Sequence, residues 1–395
     1  MQILADATMP QIQLLADTLQ QQGIALTLDV FQGRQPTAAQ LANAQALMIR
    51  SITRIDADLL KQAPHLRWLG TATIGTEHVD ADACAEAGVT FVSTPGVNAN
   101  AVGDYVVSAV ANFSLEQHGL PQGEVAIVGA GHTGRAAGQR LSGLGLAVHY
   151  YDPPLVEAGV TGVHVDWQRV LDSAVISLHV PFVTFGPHAT RHLFNAENIP
   201  QLQPHCLLIN ASRGAVVSET ALLQAMQRQQ ELHVVLDVWE HEPTINQQLL
   251  PWLYYATPHI AGHSVAGKVA GSLRLFEQWL AATFGVNHRV QLPSLSQLLT
   301  PWPKAAATQV WQSEHAPTWQ TLASWVRDIY DIRQDDCLLR QEVTDSARFD
   351  ALRKAYAARP ELSCGHVCGG SWLQQNNWQQ RLSQLTFSTH STQEQ

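Results

Sequence analysis

The segment EVAIVGAGHTG, residues 124–134, constrains the fold of this chain more than any other stretch. An apolar run ends at Gly129, and Gly131 and Gly134 follow at the spacing of a tight strand-to-helix turn whose backbone can approach a pyrophosphate. The N-terminus of the following helix favours phosphate binding. Asp152 follows the next predicted strand, where a carboxylate accepts hydrogen bonds from ribose hydroxyls and repels a 2′-phosphate. The pattern therefore predicts binding of a dinucleotide, NAD rather than NADP.

Short apolar runs that end in polar or glycine residues recur on both sides of this segment. They are QILAD, ALTLDV, ALMIR, LRWLGTAT and VTFVSTPG before it, and AVHYYDPP, AVISLHVP, CLLINASRG, HVVLDVWE and LYYATPHIAG after it. Stretches with helical character separate them, and such alternation is typical of parallel sheets covered by helices. We therefore predict an α/β fold with two doubly wound, Rossmann-like sheets and ligands at the carboxyl ends of the strands.

Changes in sequence pattern and composition along the chain indicate three domains and a tail. Residues 1–98 with a returning segment, 260–285, are predicted to form a flavodoxin-like substrate-binding domain, and residues 99–259 the dinucleotide-binding domain. The proline-punctuated stretch VNHRVQLPSLSQLLTPWPK is interpreted as a linker. Residues 286–380 are assigned to a small C-terminal α+β domain, and residues 381–395 to a loose tail.

Charge and cysteine content exclude several classes of partner. The 395 residues carry a formal net charge of -10 and no basic run, which argues against nucleic acid or a membrane as a partner. Five cysteines are scattered, and Cys364, His366 and Cys368 lack a second cluster, so we predict neither a disulfide framework nor a bound metal. The first residues do not resemble a signal peptide and no apolar run reaches membrane-spanning length, so we expect a cytoplasmic protein.

Three charged side chains follow predicted strands of the second sheet: Arg213, Glu242 and His259. Because the carboxyl ends of parallel strands meet at one edge, these side chains can converge there. A guanidinium can hold a substrate carboxylate by paired hydrogen bonds. An imidazole can take a hydroxyl proton near neutral pH, and a carboxylate bonded to the ring fixes its tautomer and favours its protonated form. The set suits hydride transfer from a 2-hydroxy acid to the dinucleotide.

The residues alone leave alternatives open around this set. Glu240 competes evenly with Glu242, and His241 and His263 are neighbours that compete with His259. Glu240 and Glu242 follow the same strand, and His241 and His263 each lie close to a strand end of the set, so spacing does not choose among them.

Two further positions have structural alternatives. Arg213 could cap carbonyls at the strand end, and Asp152 could cap a helix that begins at Pro153. Gly214 is expected to leave the backbone room to turn beside the cofactor.

These motifs resemble those of the D-2-hydroxyacid dehydrogenases. The family's Asn-x-x-Arg-Gly is matched at 210–214, its Asp-x-x-x-x-Glu-Pro at 237–243 and its His-x-Ala-Gly at 259–262. The resemblance implies that Arg213, Glu242 and His259 are catalytic and that NAD is the cofactor. It also implies a wider cofactor-binding set, namely Gly129, Gly131, His132, Thr133, Gly134, Asp152, Val180, Ala211, Asp237 on the nicotinamide side, and Gly262.

A narrower resemblance, over roughly residues 1–358, is to members with an additional C-terminal dimerisation domain. It rests on GTATIGTEHVD (70–80), YDIRQDD (330–336) and FDALRKAY (349–356). It implies a small phosphorylated 2-hydroxy acid as the substrate and a homodimer. The expected substrate-binding residues are then Ser51, Thr73, His263 and Arg50. Arg50, Arg54 and, from a partner subunit, Arg353 are candidate phosphate ligands.

Two positions depart from the family pattern. Gly103 and Asp104 replace a small residue followed by Glu, which predicts a softer start of the helix at 99–117. His263 follows Gly262 where the members with the C-terminal domain have Tyr, although a histidine there can still bind a phosphate or carboxylate. A general dehydrogenase of glycerate- or lactate-like acids and a non-enzymatic NAD sensor therefore remain rival functions.

Overall fold

The computed structural model describes residues 1–303, 307–356 and 359–391. It divides the chain into two units, Met1–Asn98 with Ser264–Ala306, and Ala99–His263 with Ala307–Gln395. Residues 286–303, which the sequence interpretation assigned to a linker and the C-terminal domain, lie in the first unit because Leu292, Leu295 and Leu298 pack in its core. The C-terminal region from 307 onward groups with the second unit.

The first unit is built on a parallel five-stranded sheet. Its strands are β1 (Gln2–Asp6), β2 (Thr27–Phe31), β3 (Ala46–Ile49), β4 (Trp68–Thr71) and β5 (Thr90–Ser93), in the order β2-β1-β3-β4-β5. Its helices are Ile12–Gln21, Ala38–Leu41, Ala57–Lys61, Ala81–Glu86, Val265–Phe284 and Leu295–Leu298. The strands β1, β3 and β4 are buried almost throughout, as apolar parallel strands between helical layers should be. Each strand predicted in this region is confirmed.

The second unit contains a parallel six-stranded sheet. Its strands are β6 (Glu124–Val128), β7 (Ala147–Tyr151), β8 (Val175–Leu178), β9 (Cys206–Asn210), β10 (Leu232–Leu236) and β11 (Tyr255–Ala256), in the order β11-β10-β9-β8-β6-β7. Its helices before residue 264 are Ala99–Glu116, His132–Leu144, Pro153–Glu157, Trp167–Leu171 and Glu219–Gln227. The strand order reverses between β6 and β8, which is where such sheets bind ligands. The predicted α/β fold is confirmed.

The helices Ala99–Glu116 and His132–Leu144 pack against each other at Gly103. A Cβ atom at Gly103 would lie 2.8 Å from Cδ of Arg140 and 3.0 Å from the backbone of Ala136. The next residue, Asp104, is 1% exposed and accepts a hydrogen bond from Arg140 Nε. The predicted softening of the helix start is therefore wrong, because glycine permits the close helix contact and the aspartate neutralises a buried arginine.

The C-terminal region adds a third, three-stranded parallel sheet. It consists of β12 (Gln309–Ser313), β13 (Gly365–Gly369) and β14 (Ser388–Ser391), with helices Trp319–Ile329, Ile332–Glu342, Ser346–Ala355 and Trp378–Gln384. Leu382 and Leu385 join the apolar core beneath the dinucleotide-binding sheet. The expectation of a loose tail from 381 therefore fails for residues 381–391, and residues 392–395 lie outside the described part. Within the described ranges, no helix is long and apolar enough to cross a membrane.

Candidate active site

The glycine-rich turn after β6 has the shape that a pyrophosphate needs. Gly129 has a φ of 94°, and a Cβ atom there would lie 2.8 Å from the carbonyl oxygen of His179. A Cβ atom at Gly134 would lie 1.9 Å from the carbonyl oxygen of Gly129, so only glycine allows this helix to begin so close to the strand. Gly131 instead faces open space within 4 Å, at the N-terminus of helix His132–Leu144. Two glycines thus shape the turn, and the third leaves room for an anion above the helix N-terminus.

Asp152 follows β7 beside this turn. Its Oδ2 accepts a hydrogen bond of 2.8 Å from the backbone N–H of Ala130, and its Oδ1 accepts one of 3.1 Å from Leu155 as the cap of helix Pro153–Glu157. The capping alternative is therefore observed. A carboxylate has about four acceptor sites, so these bonds leave capacity for two ribose hydroxyls. The two roles are compatible, and the N–H of Ala130 orients the carboxylate toward the glycine turn.

His259 and Glu242 form a hydrogen-bonded pair. The His259 Nδ1 atom lies 2.7 Å from Oε2 of Glu242, and Oε1 of Glu242 accepts a bond of 2.9 Å from the backbone N–H of Trp239. Burial opposes ionisation of Glu242, but the hydrogen bond from His259 and the nearby charges lower the pKa of its carboxyl below the usual value. The carboxylate is therefore ionised at neutral pH, which fixes His259 with its proton on Nδ1 in the neutral form and leaves Nε2 to exchange a proton with a substrate.

Glu240, the rival of Glu242, belongs to a different hydrogen-bond network. Its Oε1 is 2.6 Å from Nε2 of His192, and its Oε2 accepts a bond of 3.2 Å from the backbone N–H of Glu219. The backbone N–H of Glu240 donates in return to the Glu219 carboxylate at 2.7 Å. Geometry therefore separates two glutamates between which the sequence could not choose.

Asp237 holds the loop that presents His259. Its Oδ1 accepts bonds of 2.7 Å from the hydroxyl of Thr257 and from the N–H of Ile260, and its Oδ2 accepts one of 3.0 Å from Ala261. The backbone N–H of His259 donates to the Asp237 carbonyl oxygen at 2.7 Å. His259 has a φ of 57°, a left-handed conformation that costs a residue with a Cβ about 1 kcal/mol. The aspartate thus stabilises an unfavourable backbone conformation at the proposed acid–base residue, while its predicted contact with nicotinamide stays a prediction.

Arg213 is presented by a turn that Asn210 organises after β9. The Asn210 Oδ1 atom accepts bonds from the N–H of Ser212 at 3.1 Å and from its hydroxyl at 2.9 Å, and Nδ2 donates to the carbonyl oxygen of Arg213 at 3.0 Å. The guanidinium donates to the carbonyl oxygen of Ser212 at 2.9 Å. A Cβ atom at Gly214 would lie 1.9 Å from the carbonyl oxygen of Trp239. Gly214 therefore permits close packing of the turns that follow β9 and β10, and its expected place beside the cofactor stays a prediction.

The other predicted residues of the second unit lie around these strand ends. They are His132 and Thr133 at the helix N-terminus, Val180 after β8, Ala211 after β9, and Gly262 and His263 after the His259 loop. The ring of His263 is 6.1 Å from that of Tyr356, centroid to centroid. The charge of Arg353 contributes to the lowered pKa of Glu242. Arg353 therefore acts electrostatically on Glu242 of its own chain, and its predicted contact with a phosphate from a partner subunit stays a prediction.

In the first unit, the predicted substrate-binding residues follow two neighbouring strands. Arg50 and Ser51 come directly after β3, and Thr73 comes after β4. The Arg50 guanidinium donates to the hydroxyl of Thr8 at 3.0 Å, and the hydroxyl of Thr73 donates to the carbonyl oxygen of Gly75 at 3.0 Å. The structure brings these residues to one edge of their sheet, and their contact with substrate stays a prediction.

Sequence reasoning missed the polar residues beneath the site. Tyr105 donates from its hydroxyl to Thr257 Oγ1 at 2.8 Å, because the Thr257 hydroxyl donates onward to Asp237. Asn210 belongs to a matched motif, but its role in organising the Arg213 turn was not predicted. Among the described residues, no group of three or more His, Cys, Asp or Glu side chains could hold a metal ion.

Comparison with known proteins agrees with the fold and these motifs. Residues 102–261 match the family "D-isomer specific 2-hydroxyacid dehydrogenase, NAD binding domain", and residues 302–385 match a domain of unknown function. A 3-phosphoglycerate dehydrogenase of Entamoeba histolytica with bound NAD+ has the same fold, with a TM-score of 0.61 and 18% identity over 74% of this chain and 99% of that one. The fold and the site thus define an NAD-dependent 2-hydroxyacid dehydrogenase.

Relatives that align over most of their length identify a narrower family within this class of dehydrogenases. Erythronate-4-phosphate dehydrogenase of Idiomarina loihiensis is 44% identical over 361 residues, which cover 90% of each chain. The enzyme of the same name from Psychromonas ingrahamii is 39% identical over 364 residues, or 92% of each chain. The chain belongs to the erythronate-4-phosphate dehydrogenase family of the D-isomer specific 2-hydroxyacid dehydrogenases.

Proposed function

We propose that the chain catalyses the NAD-dependent oxidation of 4-phospho-D-erythronate to 2-oxo-3-hydroxy-4-phosphobutanoate, a step of pyridoxal 5′-phosphate (vitamin B6) biosynthesis. The names of the relatives supply the substrate, and the geometry of the second unit supports the chemistry. We propose further that it acts as a cytoplasmic homodimer.

The 2.7 Å contact between His259 Nδ1 and Glu242 carries this proposal. With Nδ1 bonded to an ionised carboxylate, Nε2 accepts the proton of the C2 hydroxyl as the C2–H bond breaks. The positive charge that develops on the imidazole is stabilised by Glu242. A protein that only senses NAD would not need a base whose tautomer is fixed in this way.

The glycine turn of Gly129, Gly131 and Gly134 would hold NAD, whose nicotinamide would supply the acceptor for the hydride from C2. Arg213 holds the substrate carboxylate beside C2 by charge-assisted hydrogen bonds. The turn organised by Asn210 and the close packing at Gly214 support this role, because both restrict the backbone that carries the guanidinium. Binding thereby orients the C2 hydroxyl toward His259.

The phosphate is the part of the substrate that distinguishes it from simple hydroxy acids. Arg50, Arg54 and Arg353 are its proposed ligands, with Ser51, Thr73 and His263 contributing polar contacts. The electrostatic influence of Arg353 on Glu242 supports a position near the catalytic pair. Replacement of all three arginines is expected to abolish the preference for a phosphorylated substrate while D-erythronate itself is still oxidised slowly.

The decisive experiment measures NADH formation with five acids: 4-phospho-D-erythronate, D-erythronate, 3-phosphoglycerate, glycerate and D-lactate. A kcat/KM at least about 100-fold higher for 4-phosphoerythronate than for the others supports the proposal. Equal turnover of several acids would replace it by a general 2-hydroxyacid dehydrogenase. Tight NAD binding without turnover of any acid would favour a sensor.

A further inference from the structure

Arg359 is a buried arginine of the C-terminal region that reaches the catalytic loop. The residue is 5% exposed, and its Nη2 donates to the carbonyl oxygens of Ala101 at 2.8 Å and of Ala261 at 2.7 Å. Ala101 lies in the first turn of helix Ala99–Glu116, and Ala261 is two residues beyond His259. One guanidinium nitrogen therefore joins the start of this helix to the loop that presents the acid–base residue.

The surroundings of Arg359 stabilise its positive charge, although the side chain is buried and not all of its donors are satisfied. Its guanidinium carbon lies 4.0 Å from the ring centroid of Tyr330. The negative charges of Asp104 and Asp335 also favour its protonated form. Within the described part of the chain, its Nε and Nη1 atoms have no hydrogen-bond partner. Burying N–H donors without partners is unfavourable, so a packing role alone would be served better by an apolar side chain. Besides its interactions with Tyr330, Asp104 and Asp335, the guanidinium provides the two carbonyl contacts.

The catalytic loop needs such support. A non-glycine residue with the φ of 57° found at His259 persists only where surrounding contacts over-determine the backbone. Asp237 binds the N–H groups of Ile260 and Ala261 from one side, and Arg359 binds the carbonyl group of Ala261 from the other. Peptide groups on both sides of Ala261 are thus held, and loss of Arg359 would release one of them.

We propose that Arg359 is a positioning residue through which the C-terminal region, matched by a domain family of unknown function, holds His259 in its working geometry. The proposal rests on the proposed role of His259 as acid–base group. It gives this region a part in turnover that is separate from any part in association between subunits.

Arg381 provides a matched control. It also belongs to the C-terminal region, lies 4.3 Å from the ring centroid of Trp378, and donates to two backbone carbonyls, those of Gly143 and Leu144, at 3.2 Å. These carbonyls are at the C-terminal end of helix His132–Leu144, roughly 18 Å along the helix from the phosphate-binding N-terminus. Arg381→Met therefore removes an equivalent contact away from the catalytic loop.

The test compares Arg359→Met, Arg359→Lys and Arg381→Met in the full chain by two measurements. The first is amide hydrogen exchange of peptides spanning residues 257–263 without substrate. In Arg359→Met this exchange is expected to accelerate about 10-fold, with no change in Arg381→Met. The second is steady-state kinetics, where Arg359→Met is expected to lower kcat about 10-fold or more while KM for NAD stays within about 3-fold. Arg359→Lys keeps the charge and one donor nitrogen but not the planar guanidinium, and should recover part of both effects.

Each outcome decides the proposal. Equal exchange in the Arg359→Met and Arg381→Met chains would overturn the proposed positioning role of Arg359. Faster exchange with unchanged kcat would overturn the importance of that role for catalysis. If Arg359→Met does not fold, the same comparison is made with Arg359→Lys, where unchanged exchange and kcat overturn the proposal. Absence of turnover in the unaltered chain would refute the proposed function instead. The exchange data would still test whether Arg359 holds the loop at residues 257–263.

Discussion

Arg140 and Asp104 form an ion pair whose side chains are 2% and 1% exposed. Arg140 comes from the helix that begins at the glycine turn, and Asp104 comes from helix Ala99–Glu116. The second oxygen of Asp104 accepts a bond of 2.9 Å from the backbone N–H of Leu362 in the C-terminal region. One carboxylate therefore joins the two helices beside the dinucleotide-binding sheet to the C-terminal region.

Replacing Asp104 by Asn should destabilise the second unit strongly. The amide preserves the shape of the side chain but leaves the Arg140 charge buried without a counter-charge, which costs about 3 kcal/mol. Urea unfolding should show this loss in the free energy of unfolding. The exposed pair of Asp58 and Lys61 is the control, and Asp58→Asn should leave unfolding unchanged. A double change of Asp104 to Leu and Arg140 to Met should recover much of the loss. Equal stability of the Asp104→Asn and unaltered chains would contradict this account.

The fold and the main strand ends were predictable because each depends on local patterns. Apolar runs of strand length that end in glycine or polar residues mark parallel strands, and Gly129, Gly131 and Gly134 mark the turn. The ordered residues 381–391 were not predictable. Their polar composition suggests a tail, but Leu382, Leu385 and Phe387 are buried in a core formed mainly by distant residues.

The candidate site was predictable only in part, for a physical reason. Arg213 and His259 follow strands, so the topology places them together. The choice between Glu240 and Glu242 depends on a loop conformation that no spacing reveals. The contact of Arg359 with Ala261 joins residues 98 positions apart, and a lone arginine in a C-terminal region carries no sign of it.

Two glycines of the turn, Gly131 and Gly134, are expected to affect NAD affinity and folding stability differently. Gly131→Ala adds a methyl group to open space at a φ of −72°, so the free energy of unfolding should stay within about 0.5 kcal/mol. The methyl group would occupy the position proposed for the pyrophosphate, and the Kd for NAD should rise about 10-fold or more. Gly134→Ala is the contrast, because its methyl group meets the Gly129 carbonyl and should destabilise the fold. Calorimetric titration with NAD and urea unfolding distinguish the two; unchanged NAD affinity in Gly131→Ala would refute the assignment of the turn.

Glu242→Gln should reduce catalysis without loss of substrate binding. Glutamine can still accept a hydrogen bond from His259 Nδ1, but it lacks the negative charge that stabilises the imidazolium formed during oxidation. The expected fall in kcat is roughly 10- to 100-fold, with KM changed by less than about 3-fold. Glu240→Gln is the matched control, since Glu240 lies two residues away and also bonds a histidine, His192. Equal kcat in the two variants would remove Glu242 from the mechanism.

A pair of histidines beside the strand that ends at Asp152 forms a directed hydrogen-bond chain. The backbone N–H of Asp166 donates to His164 Nδ1, so in the neutral form His164 Nε2 carries the proton and donates to His149 Nδ1 at 2.7 Å. His149 Nε2 then donates to the hydroxyl of Ser173 at 3.0 Å, which donates to the carbonyl oxygen of Arg169 at 2.8 Å. Each ring nitrogen has one role, and an added proton on His149 Nδ1 would place two donors face to face.

The environment of this pair opposes protonation. Burial, with the charges of Arg169 and His164, lowers the pKa of His149 to about 4, although Glu124 and Asp166 act in the opposite direction. Burial also lowers the pKa of His164. At His149 the unfolded chain, with an ordinary histidine, binds a proton as the pH falls below about 6.5, while the folded chain binds one there only near pH 4. The unfolded state therefore gains protons first, and stability falls as the pH decreases through this window.

Between pH 7 and pH 5, His149 alone should remove up to about 2 kcal/mol from the free energy of unfolding. Urea unfolding at several pH values measures this slope. His149→Gln supplies an amide acceptor and donor in place of the ring nitrogens and cannot titrate, so its stability should depend less on pH by that amount. His65→Gln, a change of an exposed histidine, should keep the slope of the unaltered chain. If His149→Gln and the unaltered chain lose stability in parallel between pH 7 and pH 5, the histidine pair is not the source of the acid sensitivity.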